Sequence, residues 1–258
     1  MKTEQQLREE ILQIGRMMFE KGWIAANDGN ITIRLDDNRV LATPTGVCKG
    51  LMRVEDLLVC DLNGAKLYGE RECTTELAMH LTIYRMRPDV CGVVHAHPPV
   101  ATGFAAAGRA LDLALLPEVV ISLGSVPLAD YGLPGTPALT EGMLPYIPKY
   151  DALLMANHGA VTYGDDVFQA FHRMEIVEHF ARIALVAELL GGPKVLPRVE
   201  VQKLFDSRAR YKVKSRNHFE PGAPMTAEDM PEPSERIEMT REQLLAIIDE
   251  ALKVRGVF

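Results

Sequence analysis

Arg87-Pro88-Asp89-Val90-Cys91-Gly92-Val93-Val94-His95-Ala96-His97-Pro98 is the stretch on which the reading of this chain turns. The residue before a proline is driven out of the helical region, so any helix arriving at Arg87 ends there. The apolar run Val90 to Val94 then reads as a strand, and a strand carries side chains two residues apart on the same face. His95 and His97 are therefore aimed together. A second apolar run, Ala152-Leu153-Leu154-Met155, leads through Asn157-His158-Gly159 into Ala160-Val161-Thr162-Tyr163, which places a third imidazole in a turn at a strand end. Upstream, Glu76 to Met86 reads as a helix with Leu77, Leu81 and Tyr84 on one face. Three imidazoles and the Glu76 carboxylate form the donor set of a catalytic divalent-metal site, which takes three protein ligands and keeps one position open.

Working outward, helices and strands interleave without an internal repeat. Leu7, Ile11, Ile14, Met17 and Met18 recur at helical spacing up to Gly22, so the chain opens with an amphipathic helix. Ile31 to Leu35 and Arg39 to Ala42, joined by Asp36-Asp37-Asn38, read as a hairpin, and Val54 to Leu62 as a further strand ending at Asn63-Gly64. Val100 to Leu128 mixes a small-residue helix with a short strand, Tyr131 to Pro137 is a glycine-proline loop, and Thr140 to Leu144 is helical. Asp166 to Leu190 is the longest helix, stopped by Gly191-Gly192-Pro193. Pro221 to Pro233 reads as a linker. Beyond it, Thr240-Arg241-Glu242-Gln243 has the form of a capping box ahead of Leu244, Leu245, Ile247, Ile248 and Leu252 at helical spacing.

Composition bounds the function classes. At 258 residues and 47% hydrophobic content the chain supports one full-sized core without demanding two. The formal charge of −7, with no dense cluster of Lys and Arg, argues against nucleic acid as a partner. No apolar run approaches the roughly 20 residues that span a bilayer, so no membrane role is expected. The N-terminus lacks a signal peptide's apolar region and the four cysteines show no CxxC spacing, which points to the cytoplasm.

An anion site is the second expectation. Asp28-Gly29-Asn30 and Pro44-Thr45-Gly46 are turns whose glycines let backbone N–H groups approach a ligand, and Thr74-Thr75 stands where the Glu76 helix begins. Each also has a bland explanation, the threonines as N-caps and the turns as hairpins. Their company with the histidines favours the functional one. His80, one turn after Glu76, either orients that residue or is a packed helix histidine. His172, His179 and His218 have no partner words, and the methionines at 17, 18, 79, 86, 155 and 174 read as core filling.

Asp28-Gly29-Asn30-Ile31-Thr32, Thr43-Pro44-Thr45-Gly46, Thr74-Thr75-Glu76, Arg87-Pro88-Asp89-Val90, His95-Ala96-His97-Pro98 and Asn157-His158-Gly159, in that order, resemble the class II aldolase/adducin-head family, above all its members acting on L-fuculose 1-phosphate. The resemblance implies a three-layer α/β/α sandwich with a mainly antiparallel central sheet, and a homotetramer with active sites at subunit contacts. It implies a catalytic domain over residues 1–211 and a C-terminal extension over 212–258. It assigns one Zn2+, or another divalent metal, per subunit to His95, His97 and His158, and the acid/base role to Glu76. Gly29, Asn30, Thr45, Gly46, Thr74 and Thr75 map onto the family's phosphate pocket, with threonines standing where those members have two serines. Tyr211 falls where a catalytic C-terminal tyrosine would, and the tyrosine near the aldehyde is replaced around Leu116-Pro117-Glu118. The implied partner is a small phosphorylated sugar. The implied reaction is cleavage of L-fuculose 1-phosphate, or a related deoxy-ketose phosphate, to glycerone phosphate and a short aldehyde. A methylthioribulose-phosphate type dehydratase and a ribulose-phosphate 4-epimerase, which has aspartate in place of Glu76, are the alternatives on the same scaffold.

Overall fold

The structure is a computed structural model that describes residues 2–213, 224–230, 240 and 242. The chain divides into two units, Met1–Glu228 and Asp229–Phe258. The second unit, with the expected terminal helix, falls mostly outside the described residues.

The first unit is built on an eight-stranded sheet. Its strands are β1 (Asn30–Arg34), β2 (Arg39–Ala42), β3 (Leu58–Asp61), β4 (Lys66–Tyr68), β5 (Gly92–Ala96), β6 (Leu128–Ala129), β7 (Ala152–Met155) and β8 (Gly159–Gly164). Their spatial order is β4-β3-β2-β1-β5-β8-β7-β6, with β6–β7 parallel and every other neighbouring pair antiparallel. The helices are α1 (Glu4–Glu20), α2 (Leu77–Met86), α3 (Pro99–Ala106), α4 (Pro117–Ser122), α5 (Pro137–Met143), α6 (Val167–Leu189) and α7 (Arg198–Ser207).

Alternation along the strands sorts side chains onto two faces. Ile31, Ile33, Leu41, Val59, Val94, Ala96 and Leu154 pack with α1, α3 and α6 through Ile14, Met18, Phe104, Phe171 and Met174. Val40, Ala42, Leu58, Val93, Leu153, Val161 and Tyr163 pack with α2 and α5 through Leu77, Leu81, Tyr84, Leu139 and Met143. The result is three layers, helices over both faces of a mostly antiparallel sheet, as expected. Thr3 and Gln6 form a reciprocal capping box that starts α1, and the Asp166 side chain accepts from the Gln169 N–H to start α6. Among the described residues no helix is long and apolar enough to cross a membrane.

Four local differences separate the structure from the sequence reading. Val54–Asp56 is a 3-10 turn rather than strand, because Asp56 Oδ2 accepts the Arg53 N–H and the Leu57 N–H turns back to Val54 O. Glu76 is the cap residue of α2 with non-helical dihedrals, not its first turn. The helix α7 has no counterpart in the sequence reading. The compact unit extends past the expected boundary at residue 211 as well: Met225 exchanges backbone hydrogen bonds with Asp112 and Ala114, and the Ala227 N–H donates to Leu196 O. Residues 224–228, read as linker, are tied down by those bonds.

Candidate active site

The strand β5 lies between β1 and β8, and it carries His95 opposite Asn30 on one side and Val161 on the other. His97 follows the strand's last residue, its N–H donating to Trp23 O at 2.9 Å. The chain then enters α3, whose first free N–H groups, those of Val100 and Ala101, donate to the buried Glu178 carboxylate from α6 at 3.1 and 2.9 Å. That anion at the helix N-terminus fixes the segment immediately after His97. His158 comes from the turn joining β7 to β8, where Asn157 takes a positive φ of 55°. A side chain at Gly159 would meet Ala96 O and the His97 ring, each 2.6 Å from its Cβ position, so glycine is what lets the two histidine-bearing segments close on each other.

The three rings converge, with centroids 4.8 to 5.3 Å apart. One nitrogen from each lies within 4.8 Å of the others, a group able to hold a metal ion. His95 Nδ1 donates to Ala160 O at 2.9 Å, which leaves its Nε2 with a bare lone pair aimed inward. His97 Nδ1 faces Asp28 Oδ2 at 3.4 Å, which leaves its Nε2 bare in turn. Those two Nε2 atoms stand 3.2 Å apart. Two lone pairs at that separation repel unless a cation lies between them, and nitrogens about 2.0 Å from a shared tetrahedral ion are spaced by about 3.3 Å. His158 Nδ1 is buried without a hydrogen-bond partner. Burial pushes His95 down to about 3 and His97 below the ordinary histidine range, so both rings are neutral, the form that ligates. The donor set fits a divalent metal.

Glu76 faces the same point. Its Oε1 is 2.9 Å from His158 Nε2 and its Oε2 is 3.3 Å from His95 Nε2. Burial alone would raise its carboxyl. The positive charge that His95 carries when protonated in acid, the His158 hydrogen bond and Asn30 outweigh that and hold it well below the usual carboxylate range.

Behind Glu76 runs a buried polar ladder between β1 and α2. Asn30, Thr32 and Arg34 repeat every second residue on the strand, and Glu76, His80 and Tyr84 every fourth on the helix. Two strand residues rise about 6.8 Å and four helical residues about 6 Å, so the two rows stay in step. Asn30 Nδ2 donates to Glu76 Oε2 at 2.7 Å, and His80 Nε2 donates to Asn30 Oδ1 at 2.5 Å. Thr32 Oγ1 lies 2.8 Å from His80 Nδ1 and 2.9 Å from the Tyr84 hydroxyl. The Arg34 guanidinium lies over the Tyr84 ring at 4.9 Å and donates to Tyr84 O. Burial pushes His80 down to about 4, so the ring is a neutral link that accepts from Thr32 and donates to Asn30.

The residues expected around an anion are brought side by side. Pro44 bridges to Cys73, the Thr45 N–H donates to Glu72 O at 3.0 Å, and Thr74 Oγ1 accepts from Asn30 Nδ2 at 3.2 Å. Thr45, Gly46 and Thr75 are exposed, whereas Gly29, Asn30 and Thr74 are buried. Gly29 has a φ of 69°, and a Cβ there would sit 3.0 Å from His95 O. Asn30 spends its whole side chain on Thr74, Glu76 and His80, so its part is to hold Glu76 and Thr74.

A family description, class II aldolase and adducin N-terminal domain, matches residues 9–185. The chain belongs to this family. It is a metal-dependent lyase of the class II aldolase type. The 3-oxo-tetronate 4-phosphate decarboxylase of Pectobacterium atrosepticum is 33% identical over 198 residues, 75% of this chain and 88% of that protein. The L-fuculose phosphate aldolase of Methanococcus maripaludis is 33% identical over 174 residues, 67% of this chain and 93% of that protein. A solved L-fuculose 1-phosphate aldolase superposes with a TM-score of 0.74 at 27% identity, covering 82% of this chain and 98% of its own.

Of the site residues expected from sequence, this class II aldolase-family chain leaves Tyr211 apart. It is 58% exposed in the turn after α7 and shares none of the cluster's hydrogen bonds or ion pairs. Two residues the sequence reading passed over belong to the site's framework, Glu178 beneath α3 and Lys49, and Asp28, read only as part of a turn, stands beside His97. The Lys49 ammonium is buried and donates to Asn27 O at 2.7 Å and Val47 O at 2.8 Å, which ties the turn before Gly29 to the turn after Gly46. Burial pushes it down to about 8. A lone lysine after a glycine turn carries no signal in sequence that it points inward.

Proposed function

We propose that this chain is a zinc-dependent aldolase that cleaves a ketose 1-phosphate, L-fuculose 1-phosphate or a related deoxy-ketose phosphate, to glycerone phosphate and a short aldehyde. The observation that carries the reading is the convergence of His95, His97 and His158 on the Glu76 carboxylate, with the Thr74-Thr75 segment leading directly into it. A divalent ion held by the three imidazoles would supply the Lewis-acid charge that polarises a substrate carbonyl. Glu76 moves the proton at the carbon beside that carbonyl, and the Asn30 amide keeps its carboxylate aimed while it does so. Gly29, Thr45, Gly46, Thr74 and Thr75 hold the phosphate, so that binding energy far from the reacting bond places the carbons against Glu76. The packed rings and the buried ladder exclude water from the rear of the site.

A second reading rests on the decarboxylase relative. Loss of carbon dioxide from a 3-oxo-tetronate 4-phosphate and retro-aldol cleavage of a 1-phosphoketose both leave the same three-carbon enediolate bearing a phosphate. The groups described serve either bond cleavage, and what differs is the part of the substrate that departs. The test is turnover of the zinc-loaded protein on L-fuculose 1-phosphate and related ketose 1-phosphates beside 3-oxo-tetronate 4-phosphates, with glycerone phosphate as common readout. Aldehyde release from the first set is the expected result; carbon dioxide from the second alone reassigns the chain as a decarboxylase. The assembly proposed with this activity is a homotetramer, checked by the mass of the purified protein in solution.

A further inference from the structure

Cys60 and Cys73 point their thiols at each other across the sheet edge, Sγ to Sγ 2.7 Å. Cys60 is fully buried on β3, and burial pushes its thiol up. Cys73 is half-buried and leads directly into Thr74, Thr75 and Glu76. The Lys66 ammonium lies close enough to interact with both sulfurs while it donates to Arg71 O and Glu72 Oε1. Cys73 is tied on its other side to the anion turn, through its bridge to Pro44 and the Thr45 N–H on Glu72 O. The pair therefore joins the rigid sheet to the one segment that carries both the phosphate hydroxyls and the acid/base.

We propose that Cys60 and Cys73 form a reversible disulfide that switches the Thr74–Glu76 segment. Hydrogen peroxide is the oxidant, and Cys73, the accessible thiol, is the one it meets. The Cys73 sulfur attacks one peroxide oxygen, the O–O bond breaks, and the sulfur becomes a sulfenic acid while the other oxygen leaves as water. The Cys60 sulfur then attacks that oxidised sulfur, the S–S bond forms, and the hydroxyl departs with the Cys60 proton as a second water. Two thiols lose two electrons and one peroxide gains them. Bond formation draws Cys73 toward β3 and shifts Thr74 and Glu76 with it. The sulfurs close from 2.7 Å to the length of a disulfide, about 2.0 Å, a movement of about 0.7 Å. Since about 1 Å at reacting groups costs about 100-fold in turnover, a loss of about tenfold is the scale expected.

Metal-loaded protein is treated with peroxide, and the intact mass, the free-thiol count, a peptide map and the turnover are followed. The structure calls for a loss of about 2 Da and two of the four thiols, a Cys60–Cys73 cross-link, turnover reduced at least about tenfold, and recovery with dithiothreitol. Cys73→Ser keeps its turnover under the same peroxide dose, and a variant with serine at both Cys48 and Cys91 behaves like wild type. A cross-link through Cys48 or Cys91, over-oxidation of Cys73 with Cys60 left free, a bond that leaves turnover unchanged, or equal inactivation of Cys73→Ser overturns the proposal. Only the turnover arm rests on the lyase reading above. The mass and peptide arms stand without it, so failure of one is distinguishable from failure of the other.

Discussion

The Asn30 side-chain amide donates to Glu76 Oε2 at 2.7 Å, and this bond ties the acid/base to the middle of the sheet. Asn30 sits on β1 beside His95, so the residue that holds Glu76 is also the hydrogen-bonded strand neighbour of a proposed metal ligand. The carboxylate and the imidazole cannot drift apart without breaking the sheet register.

His80 acts on Glu76 only through Asn30. Replacing it in His80→Phe leaves Asn30 Oδ1 buried without its partner and the Thr32 hydroxyl with Tyr84 alone, which costs about 1–3 kcal/mol of stability. The substitution also lowers kcat by about tenfold or more with metal content unchanged, because Asn30 can then turn away from Glu76. His80→Gln, which restores a donor, recovers part of the rate. Chemical denaturation, metal analysis and steady-state kinetics on the two variants check this; lost stability with unaltered kcat contradicts a positioning role.

Asp28 is the partner of the His97 nitrogen that faces away from the cluster. Asp28→Ala removes the acceptor that fixes this ring, and zinc affinity falls about 10- to 100-fold. Competition against a chromophoric chelator measures it. Equal affinity in the variant would remove Asp28 from the metal site's support.

Lys49 gives the account a pH dependence. Below pH about 8 its ammonium is charged in both the folded and unfolded chain. Between about 8 and the ordinary lysine value of 10.5 the folded protein releases the proton while the unfolded chain keeps it. The unfolded state then binds more protons, so this group's contribution to stability rises with pH across that window. Unfolding free energies of wild type and Lys49→Met, compared from pH 7.5 to 10, should diverge in favour of the wild type, and parallel curves are the contrary result. Lys49→Met also weakens inhibition by inorganic phosphate, since the turns around Gly29 and Gly46 lose their common anchor.

The three-layer architecture is legible only through the family resemblance, because periodicity places strands and helices but not their layers, whereas the shared aim of His95 and His97 follows from short-range periodicity. The two-residue repeat of His95 and His97 and the proline after Arg87 are local facts. Most of what the sequence reading missed depends on contacts between distant segments. Glu178 capping a helix 77 residues away and Lys49 turning inward are decided by tertiary packing, whereas the Val54–Asp56 turn is a local device, Asp56 Oδ2 on the Arg53 N–H, hidden by the apolar run that follows it. The Asn30–Glu76 bond spans 46 residues. The resemblance assigns Asn30 to the phosphate pocket, and only the placing of β1 against α2 shows its amide committed to Thr74, Glu76 and His80. The decarboxylase relative exposes another limit: residues that stabilise an enediolate do not record which bond was broken to make it.

Exchange of solvent deuterium into glycerone phosphate, with no aldehyde present, tests the central claim most directly. It isolates the proton transfer assigned to Glu76 and needs no knowledge of the natural substrate. The zinc-loaded wild type should exchange one carbon-bound hydrogen, and Glu76→Gln, with its fold and metal intact, should exchange it at least about 100-fold more slowly. Equal rates in the two proteins, or exchange that persists after the metal is stripped, would contradict the account.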